Sequence, residues 1–434
     1  MSVMVRLYTQ LENLARQGAP ISVAVIGAGR MGRSIVVSSA EVSGLEVTAI
    51  ADVQLDRATE SYQSIGRQRQ AIATVETAEE ASNALADDQV LITEDALLPP
   101  KLPEIDVVIG ATGVPEIGAQ VATRAILNDT HVVMLTDETD AVVGPYLSKL
   151  AEQAGVVYSA AAGDEPGAIM ELYNFARSLG FEVVAVGKGK NNPLDRAATP
   201  DSLAETAHEK NLNPEIYTAF VDGTNSMLEM TMVANATGLS VSQDGLHSPN
   251  VGSIEELSDV FSLESNGGIL TQKGVVDFVL GGGVAPGVFA VVTTDSETIQ
   301  EDLEYLSVGT GPNYVLHRSY HLPTIEPLLT AARVCLYGDA YLVPKEPVAD
   351  TVSVAKRDLS PGEEIDGIGG STVYGVAESA DVVVGKDLVP ISLIEGAMVT
   401  TKIEAGESIR YEDVELRESE LLSIRRLQDS YFEY

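Results

Sequence analysis

Short apolar runs alternate with amphipathic stretches through the first third of the chain. Stretches with apolar positions three or four residues apart follow the early runs, and strands that alternate with helices predict right-handed βαβ units. Such units form a parallel sheet with both faces covered, which explains why its strands are continuously apolar. Before them, Leu7, Leu11 and Leu14 predict an amphipathic helix rather than a signal segment. The predicted strands are ISVAVIG, LEVTAIAD, IDVVIGATG and HVVMLT, and the helices between them are MGRSIVVSSAEV, a stretch around Arg57 to Gln70, and IGAQVATRAILND.

The pattern changes after about residue 155, where longer helices mix with strands such as FEVVAVGKG and GVFAVVTTD. This mixture predicts an α+β domain, whose last helix we expect to pack back on the first domain. Prolines at 344 and 347 mark a further boundary, and VSVAKRDLSPGEEI, DVVVGKDL and GAMVTTKIEAGESI beyond it predict short strands and turns. We therefore expect a doubly wound α/β domain at 1–155, an α+β substrate domain at 156–346, a β-rich domain at 347–416 and a helix at 417–434.

A glycine-rich loop ends the first predicted strand and opens a helix. Its residues, Gly27-Ala28-Gly29-Arg30-Met31-Gly32, fit the pattern G-x-G-x-x-G. In this context Gly27 permits a tight turn, Gly29 lets a phosphate approach the backbone, and Gly32 lets helix and strand pack closely. The loop therefore predicts a dinucleotide site at the helix N-terminus, with a purely structural turn as the alternative.

The sequence leaves the choice between NAD and NADP open. Asp52 ends the second strand, twenty residues past the last glycine of the motif, where a carboxylate meets the adenine ribose hydroxyls and favours NAD. Arg30 and Arg57 are nearby cations that suit a 2′-phosphate and favour NADP. A later strand ends at Ala111-Thr112-Gly113, which we expect to line the nicotinamide side unless it is a plain strand-to-helix turn.

Charge excludes several classes of partner. The chain has 434 residues with 10 lysines and 17 arginines against 64 acidic residues, a net charge of −37. Such a field repels phosphate backbones and anionic lipid, so we expect neither nucleic-acid nor membrane binding. The acidic, lysine-poor composition favours a protein adapted to high salt, with an ordinary acidic enzyme as the alternative. One cysteine, Cys335, allows no disulfide framework, and no apolar run reaches membrane-spanning length, so a cytoplasmic protein is expected.

Longer blocks of sequence carry a family resemblance. The blocks GAGRMG, VVIGATGVPEIGAQVA and DETDAVVGP resemble the nucleotide domain of homoserine dehydrogenase. Further blocks are similar to homoserine-dehydrogenase-like oxidoreductases that carry a C-terminal SAF domain: GDEPGAIMELYNFARSLG, GKGKNNPLDRAATPDSLAETA, DGTNSMLEM, GTGPNYVLHRSYHL and AKRDLSPGEEIDGIGG. That branch includes 1-deoxy-D-xylulose 5-phosphate reductoisomerase-like enzymes, which use NADPH and a divalent metal. The resemblance runs from about residue 20 to 416 and implies NADP as the cofactor, with NAD and a divalent metal left open.

The resemblance also suggests catalytic residues. Lys190, in GKGKNN directly after a strand, matches a lysine of the related enzymes and is implied to polarise the substrate carbonyl or relay its proton. Its neighbour Lys188 is expected to be a surface lysine. Asp195 and Arg196 resemble a substrate-holding stretch, with a helix N-cap and a surface pair as the alternative, and Asp201 is expected to be such a cap.

Three more acidic residues are candidates. Asp164 and Glu165 precede a helix in a loop that resembles a substrate or metal loop of the family, and helix-dipole partners are the alternative reading. Glu229 follows Asn225 by four residues on a predicted helix and shares its face. One departure from homoserine dehydrogenases is clear: the chain has Leu-Thr-Asp-Glu at 135–138, where those enzymes typically present an Asn-Lys pair.

Taken together, these features predict an NAD(P)-dependent oxidoreductase of the alcohol-dehydrogenase type that acts on the carbonyl or hydroxyl carbon of a small polar metabolite. A reductoisomerase-like activity, homoserine oxidation, and a non-catalytic protein that senses the redox cofactor are the alternatives. We expect a small-molecule substrate and a homo-oligomer.

Overall fold

Two units make up the described part of the chain, residues 3–433 of the computed structural model. The first unit runs over residues 1–167 and 322–343, and the second over 168–321 and 344–434. Met1, Ser2 and Tyr434, which the domain boundaries predicted above include, lie outside the described residues.

The first unit alternates strands and helices as the sequence predicts. In chain order it contains α1 Val3–Gln17, β1 Ile21–Ile26, α2 Arg30–Ser39, β2 Leu45–Ala51, α3 Leu55–Ser64, β3 Ile72–Thr74, α4 Ala78–Ala86, β4 Val90–Thr93, β5 Val107–Gly110, α5 Pro115–Ile126, β6 His131–Met134, α6 Asp137–Ala154 and β7 Tyr158–Ala160. Short turns of 3-10 helix lie at Arg69–Ala71 and Pro99–Lys101.

The strands form one parallel, Rossmann-type sheet in the order β3-β4-β2-β1-β5-β6-β7. The chain order reverses between β1 and β5, and open α/β sheets bind ligands in the crevice at such a point. Helices cover both faces of a sheet of this kind, so its strands are buried along their length. Ile21, Val23 and Val25 of β1 belong to the core of this unit, as do Leu7 and Leu11 of α1.

The second unit begins with a mixed sheet. Its elements are α7 Glu165–Ser178 from residue 168 onwards, β8 Glu182–Gly189, α8 Pro200–Glu209, α9 Pro214–Val221, α10 Thr224–Thr237, α11 Leu257–Val260, β9 Val275–Val279, β10 Val288–Thr293, α12 Glu297–Tyr305 and β11 Asn313–Arg318. The chain then enters the first unit, where α13 Pro327–Tyr337 contributes Leu328, Ala331 and Ala332 to the core. A turn of 3-10 helix lies at Glu264–Asn266.

The strand order of this sheet is β11-β10-β8-β9, antiparallel except for the pair β8 and β9. Helix α10 is buried nearly all round, which is typical of a helix enclosed by other elements. Its residues share one apolar core with the sheet and with Ala349 and Ala377 from the C-terminal strands. The C-terminal part of the second unit therefore packs on the same core as the mixed sheet.

Short antiparallel strand pairs follow in the C-terminal part. The elements there are β12 Ala349–Ala355, β13 Val373–Ser379, α14 Ala380–Lys386, β14 Met398–Val399, β15 Val414–Glu415 and α15 Glu420–Tyr431, with turns of 3-10 helix at Ile391–Leu393 and Tyr411–Asp413. Strand β12 pairs with β13 and β14 pairs with β15, both antiparallel. The fold class is thus the predicted one: a Rossmann-type parallel sheet, an α+β part and a small β-rich part.

Two local predictions were wrong. The run DVVVGKDL, predicted as a strand, forms helix α14, in which Val383 is buried while Val384 is exposed. Its β-branched side chains favour strands, but here the packing of one helical face prevails. The helix predicted around residues 57–70 ends at Ser64, because Gly66 follows with a φ of +84° that a continuing helix cannot contain.

Candidate functional site

The glycine loop of the first unit is tightly packed at two positions and open at the third. Gly27 has a φ of +100°, and a Cβ there would lie 2.6 Å from the Ala111 carbonyl oxygen. A Cβ on Gly32 would lie 1.8 Å from the Gly27 carbonyl oxygen. A Cβ on Gly29, directly before α2, would meet open space. The backbone at Gly29 is therefore accessible beside a helix N-terminus, and this cradle fits a pyrophosphate.

Asp52 is bonded across this loop. Its Oδ2 accepts the Ala28 N–H at 2.6 Å, and its Oδ1 accepts the Gln54 N–H at 2.7 Å. Each carboxylate oxygen has a second lone pair, so a ribose hydroxyl can still be accepted. Within residues 3–433, Arg30 and Arg57 are exposed and make no ion pair with a carboxylate. The features that favour NAD and NADP are thus both present.

The loop after β5 lies against the glycine loop. The Ala111 N–H donates to the Ile26 carbonyl at 2.8 Å, which holds the ends of the two neighbouring strands together. Thr112 accepts the Val114 N–H through its hydroxyl at 3.1 Å, and Gly113 is exposed. The remaining residue of the predicted cofactor set, Met31, is half-buried in the first turn of α2. The structure therefore brings the two motif loops of the predicted cofactor site together.

Sequence reasoning missed a group of buried carboxyls at the start of α6. Burial raises the pKa of Asp140 to about 7, and the Tyr158 hydroxyl donates to its Oδ2 at 3.1 Å. Burial also raises the pKa of Glu138, and Asp137 is buried beside it. The sequence does contain a sign of this group: three acidic residues lie in the first turn of a helix that follows a parallel strand. Residues at that place in the fold commonly contact substrate or cofactor.

Strand β8 of the second unit and the residue directly after it bring two lysines, Lys188 and Lys190, into the protein interior. Lys188 lies opposite Phe278 of β9 and Val288 of β10, in the middle of the sheet. Lys188 and Lys190 are each only 6% exposed. Successive residues of a strand point to opposite faces, so the lysines share one face and the glycines the other. Added Cβ atoms on Gly187 and Gly189 would lie 1.9 Å and 2.3 Å from neighbouring backbone atoms. The glycines of the Gly-Lys-Gly-Lys segment therefore occupy a face with no room for a side chain, and the lysines occupy the other.

Lys188 is not the surface lysine that the sequence suggested. Its ammonium forms a buried ion pair with Glu229, which is 1% exposed on α10. The other carboxylate oxygen of Glu229 accepts from the Asn225 side-chain amide, one helical turn earlier. The prediction that Asn225 and Glu229 share a helix face is confirmed. Removing a charge from water is costly, so a buried ammonium such as that of Lys188 needs an opposite charge like that of Glu229 beside it.

Lys190 is held differently. Its ammonium donates to the backbone carbonyl of Phe220, and within residues 3–433 no carboxylate lies at ion-pair distance from it. Burial, followed by the charge of Lys188, lowers the pKa of Lys190 to about 8, while Glu229 and Asp222 act in the opposite direction. An ammonium has three N–H donors, so one bond to a neutral carbonyl leaves donors for a ligand. Lys190 is therefore a buried amine whose pKa is lowered toward neutral pH.

The remaining catalytic candidates are not part of this buried lysine centre. Asp195 is exposed and accepts the Ala197 N–H at 3.0 Å within its own turn. Arg196 is exposed, with its guanidinium 5.5 Å from the centre of the Tyr374 ring on β13. Asp201 was wrongly expected to cap a helix: the N-cap of α8 is Thr199, whose hydroxyl accepts the Ser202 N–H at 3.2 Å.

Asp164 and Glu165 are half-buried where α7 begins, and both belong to the first unit. The part of the chain that the structure describes brings together no group of three or more His, Cys, Asp or Glu side chains suited to a metal ion. No helix among the described residues is both long and apolar enough to cross a membrane.

Two family models match parts of this chain. Residues 163–327 match the model of a family described as "Oxidoreductase DRL, catalytic domain", and residues 350–415 match that of the SAF domain. Lys188, Lys190 and Glu229 lie within the first match. The chain thus carries an oxidoreductase catalytic domain of the DRL type followed by a SAF domain. The predicted SAF domain is confirmed, and the closer likeness to homoserine dehydrogenase stays a prediction.

Several solved structures show a partial likeness, while no curated protein sequence gives a significant match. The chain is similar to 1-deoxy-D-xylulose 5-phosphate reductoisomerase from Zymomonas mobilis in complex with NADPH (17% identity, TM-score 0.37, 50% of this chain and 57% of that one). It is also similar to a probable dehydrogenase from Thermotoga maritima (14%, TM-score 0.42, 74% and 90%). A third is scyllo-inositol dehydrogenase from Lactobacillus casei with bound NAD(H) and scyllo-inositol (11%, TM-score 0.38, 69% and 76%). The chain spans little more than half the length of the reductoisomerase.

Proposed function

We propose that this protein is an NAD(P)-dependent oxidoreductase of the alcohol-dehydrogenase type, homoserine-dehydrogenase-like, that acts on the carbonyl or hydroxyl carbon of a small polar metabolite. The observation that carries the proposal is Lys190, a buried amine with a pKa lowered to about 8 and a single neutral partner. Enzymes lower the pKa of lysines by burial and nearby charge when the amine must exchange a proton near neutral pH. A lysine with a merely structural role is instead expected to be saturated by acceptors.

The glycine loop supports the cofactor part of the proposal. Gly29 leaves space beside the N-terminus of α2 for a pyrophosphate, and Asp52 offers acceptor capacity to a ribose. Bound there, NADPH supplies the hydride equivalent for reduction. Arg30 and Arg57 favour NADPH over NADH, because exposed guanidinium groups suit a 2′-phosphate.

In the direction of reduction, protonated Lys190 donates a hydrogen bond to the substrate carbonyl oxygen. As the carbonyl carbon is reduced, negative charge develops on that oxygen, and Lys190 transfers its proton to form the hydroxyl. Lys190 then regains a proton from solvent. In the direction of oxidation the neutral amine takes the hydroxyl proton. Lys188 remains paired with Glu229, and its nearby charge helps to lower the pKa of Lys190.

The remaining candidates keep proposed roles as binding residues. Arg196 presents an exposed guanidinium that suits a carboxylate or phosphate of the substrate, and Asp195 suits a substrate hydroxyl. Asp164 and Glu165 are retained as candidates for substrate or metal contact at the start of α7.

The test is cofactor oxidation against a panel of small aldehydes, ketoses and keto acids. Wild-type protein is expected to oxidise NADPH with at least one of them, with an efficiency above that for NADH. Lys190→Ala is expected to lower turnover by about 10²–10⁴-fold, the range for a positioned acid–base group. Lys210→Ala, an exposed lysine at the end of α8, is the matched control and should retain wild-type turnover. Full turnover by Lys190→Ala would overturn the role of Lys190, and a tenfold preference for NADH would overturn the cofactor choice.

A further inference from the structure

A third lysine, Lys356, is buried in the second unit and comes from the SAF domain. It follows β12, and its side chain is 2% exposed. Its ammonium lies 2.7 Å from the Ala198 carbonyl oxygen, 2.7 Å from the Gly370 carbonyl oxygen and 2.8 Å from Asp222 Oδ2. Ala198 and Asp222 belong to the catalytic domain, whereas Gly370 belongs to the SAF domain. The Lys356 ammonium therefore donates to one carbonyl from each domain and forms an ion pair with Asp222, so that it links the two domains.

The carboxylate that Lys356 holds lies in the turn that also serves Lys190. Asp222 has a side chain that is 0% exposed, and its Oδ1 accepts the Thr224 N–H at 2.9 Å where α10 begins. Its own N–H donates to the Thr218 carbonyl at 2.8 Å, which closes the end of α9. Phe220, whose carbonyl accepts from Lys190, is two residues earlier in this turn. A displacement of Asp222 therefore moves the hydrogen-bond acceptor of Lys190.

Further contacts hold the SAF domain to α10, the helix that carries Glu229. The Gly375 N–H of β13 donates to the Thr224 hydroxyl at 2.8 Å, and the hydroxyls of Thr351 and Thr231 lie 2.9 Å apart. The Asn235 side-chain oxygen accepts two N–H groups at the start of β12, at 2.8 Å and 2.9 Å. The SAF domain thus contacts α10 along its length, and Lys356 adds a charged contact at the turn before it.

We propose that Lys356 is a positioning residue for the lysine centre: the SAF domain, through Lys356 and Asp222, fixes the turn whose Phe220 carbonyl orients the Lys190 ammonium. The inference rests on the proposed function, in which Lys190 is the reacting group. Without Lys356, Asp222 is a buried carboxylate that has lost its cation, and such a group draws in water or takes up a proton. The turn then relaxes, and small misplacements of a catalytic group are costly to the rate.

The experiment compares Lys356→Met and Asp222→Asn with wild-type protein and with Lys402→Met, an exposed lysine of the same SAF domain. Steady-state kinetics give kcat and KM, and NMR of protein labelled at lysine Cε gives the titration midpoint of Lys190. Only ten lysine signals are expected, and the Lys190 signal is assigned by its loss in Lys190→Met. Circular dichroism and melting temperature report whether each variant folds.

Lys356→Met is expected to fold, to keep KM within about twofold, and to lower kcat by about 10–100-fold, the scale for a misplaced catalytic group. In Asp222→Asn the Lys190 midpoint is expected to fall, because the Asp222 charge stabilises the Lys190 ammonium. The midpoint in Lys402→Met should equal that of the wild type. A folded Lys356→Met with wild-type kcat and midpoint would overturn the inference. If Lys356→Met does not fold, the kcat of Asp222→Asn decides, and an unchanged kcat rejects the inference.

Failure of the proposed function looks different. It would appear as no cofactor-dependent turnover by the wild type or as full activity of Lys190→Met, whatever the variants at 356 and 222 do. The NMR midpoint needs no substrate, so a change in it on replacing Lys356 supports the positioning role even then.

Discussion

Lys190 allows the clearest test, because the burial that lowers its pKa and suits it for catalysis also lowers the free energy of unfolding. Lowering its pKa from the ordinary 10.5 to about 8 corresponds to about 3 kcal/mol, at about 1.4 kcal/mol for each pH unit. This is the free energy by which the charged ammonium is less stable in the folded protein than in the unfolded chain. Lys190→Met removes that cost, but leaves the Phe220 carbonyl without its donor, at about 1–3 kcal/mol.

The pH dependence of the stability difference between Lys190→Met and wild type follows from the two pKa values of Lys190, folded and unfolded. The folded pKa lies below the unfolded one, so at pH 7 the amine is protonated in both states and the wild type carries the full cost. As the pH rises through 8 the folded protein loses the proton and the cost shrinks, and it disappears near 10.5. The stability of Lys190→Met relative to wild type should therefore fall by about 2 kcal/mol between pH 7 and pH 9.5. The lost hydrogen bond contributes a term with little pH dependence, so it drops out of this difference.

The assay is urea unfolding of wild-type protein and Lys190→Met at several pH values between 7 and 9.5, with Lys210→Met as the matched exposed control. The control replaces an exposed lysine, so its difference from wild type should change little across this range. Titration of other groups affects all three proteins alike and cancels. A difference between Lys190→Met and wild type that stays flat across this range would refute the assignment of Lys190 as a buried amine with a lowered pKa.

Three further predictions concern the first unit and the surface. Gly29→Ala should fold normally and weaken NADPH binding at least tenfold in fluorescence titrations. Gly32→Ala should instead lower the melting temperature, because an added Cβ meets backbone atoms at Gly32 but open space at Gly29. Equal melting temperatures of the two variants would contradict this prediction. Asp140→Asn should match wild-type stability near pH 4 and exceed it above pH 7 in urea unfolding, because burial raises the pKa of Asp140 to about 7 and its ionisation destabilises the fold. The melting temperature of the wild type should rise between low salt and about 1 M KCl, since salt screens the repulsion within a chain of net charge −37, and no rise would reject adaptation to high salt.

The parallel sheet was predictable wherever a strand is long and continuously apolar. Strand β1 and the glycine loop after it follow directly from the residues, whereas the pairing of β1 with β5, which brings Ala111 against this loop, was not predicted. Strands β3, β4 and β7, of three or four residues each, were not predicted, since so short a run does not establish a period; β5 and β6 also have four residues but lie in the predicted runs IDVVIGATG and HVVMLT. The three unpredicted segments are strands because neighbouring strands offer backbone partners, which a local pattern does not reveal.

The lysine centre was predictable in part. The loop with Lys190 was recognisable from its glycines and its place after a strand, but the burial of Lys188 depends on Glu229, which lies 41 residues away. Asp222 and Lys356 are separated still further along the chain, in different domains. Nothing near Lys356 in the sequence indicates an acceptor. Pairings of this kind arise from tertiary packing, so the sequence alone shows single charged residues where the structure shows a connected group.

The connected group also changes the meaning of the net charge. Lys188, Lys190 and Lys356 are buried with two carboxylates, Glu229 and Asp222, so the centre carries one positive charge in excess inside a strongly acidic protein. The excess charge belongs to Lys190, whose remaining N–H groups suit an oxygen that becomes negative during reduction. Screening by salt acts on exposed charges and much less on buried ones. Salt that raises the melting temperature should therefore leave the titration midpoint of Lys190 nearly unchanged, which would separate the role of the acidic surface from the chemistry of the buried centre.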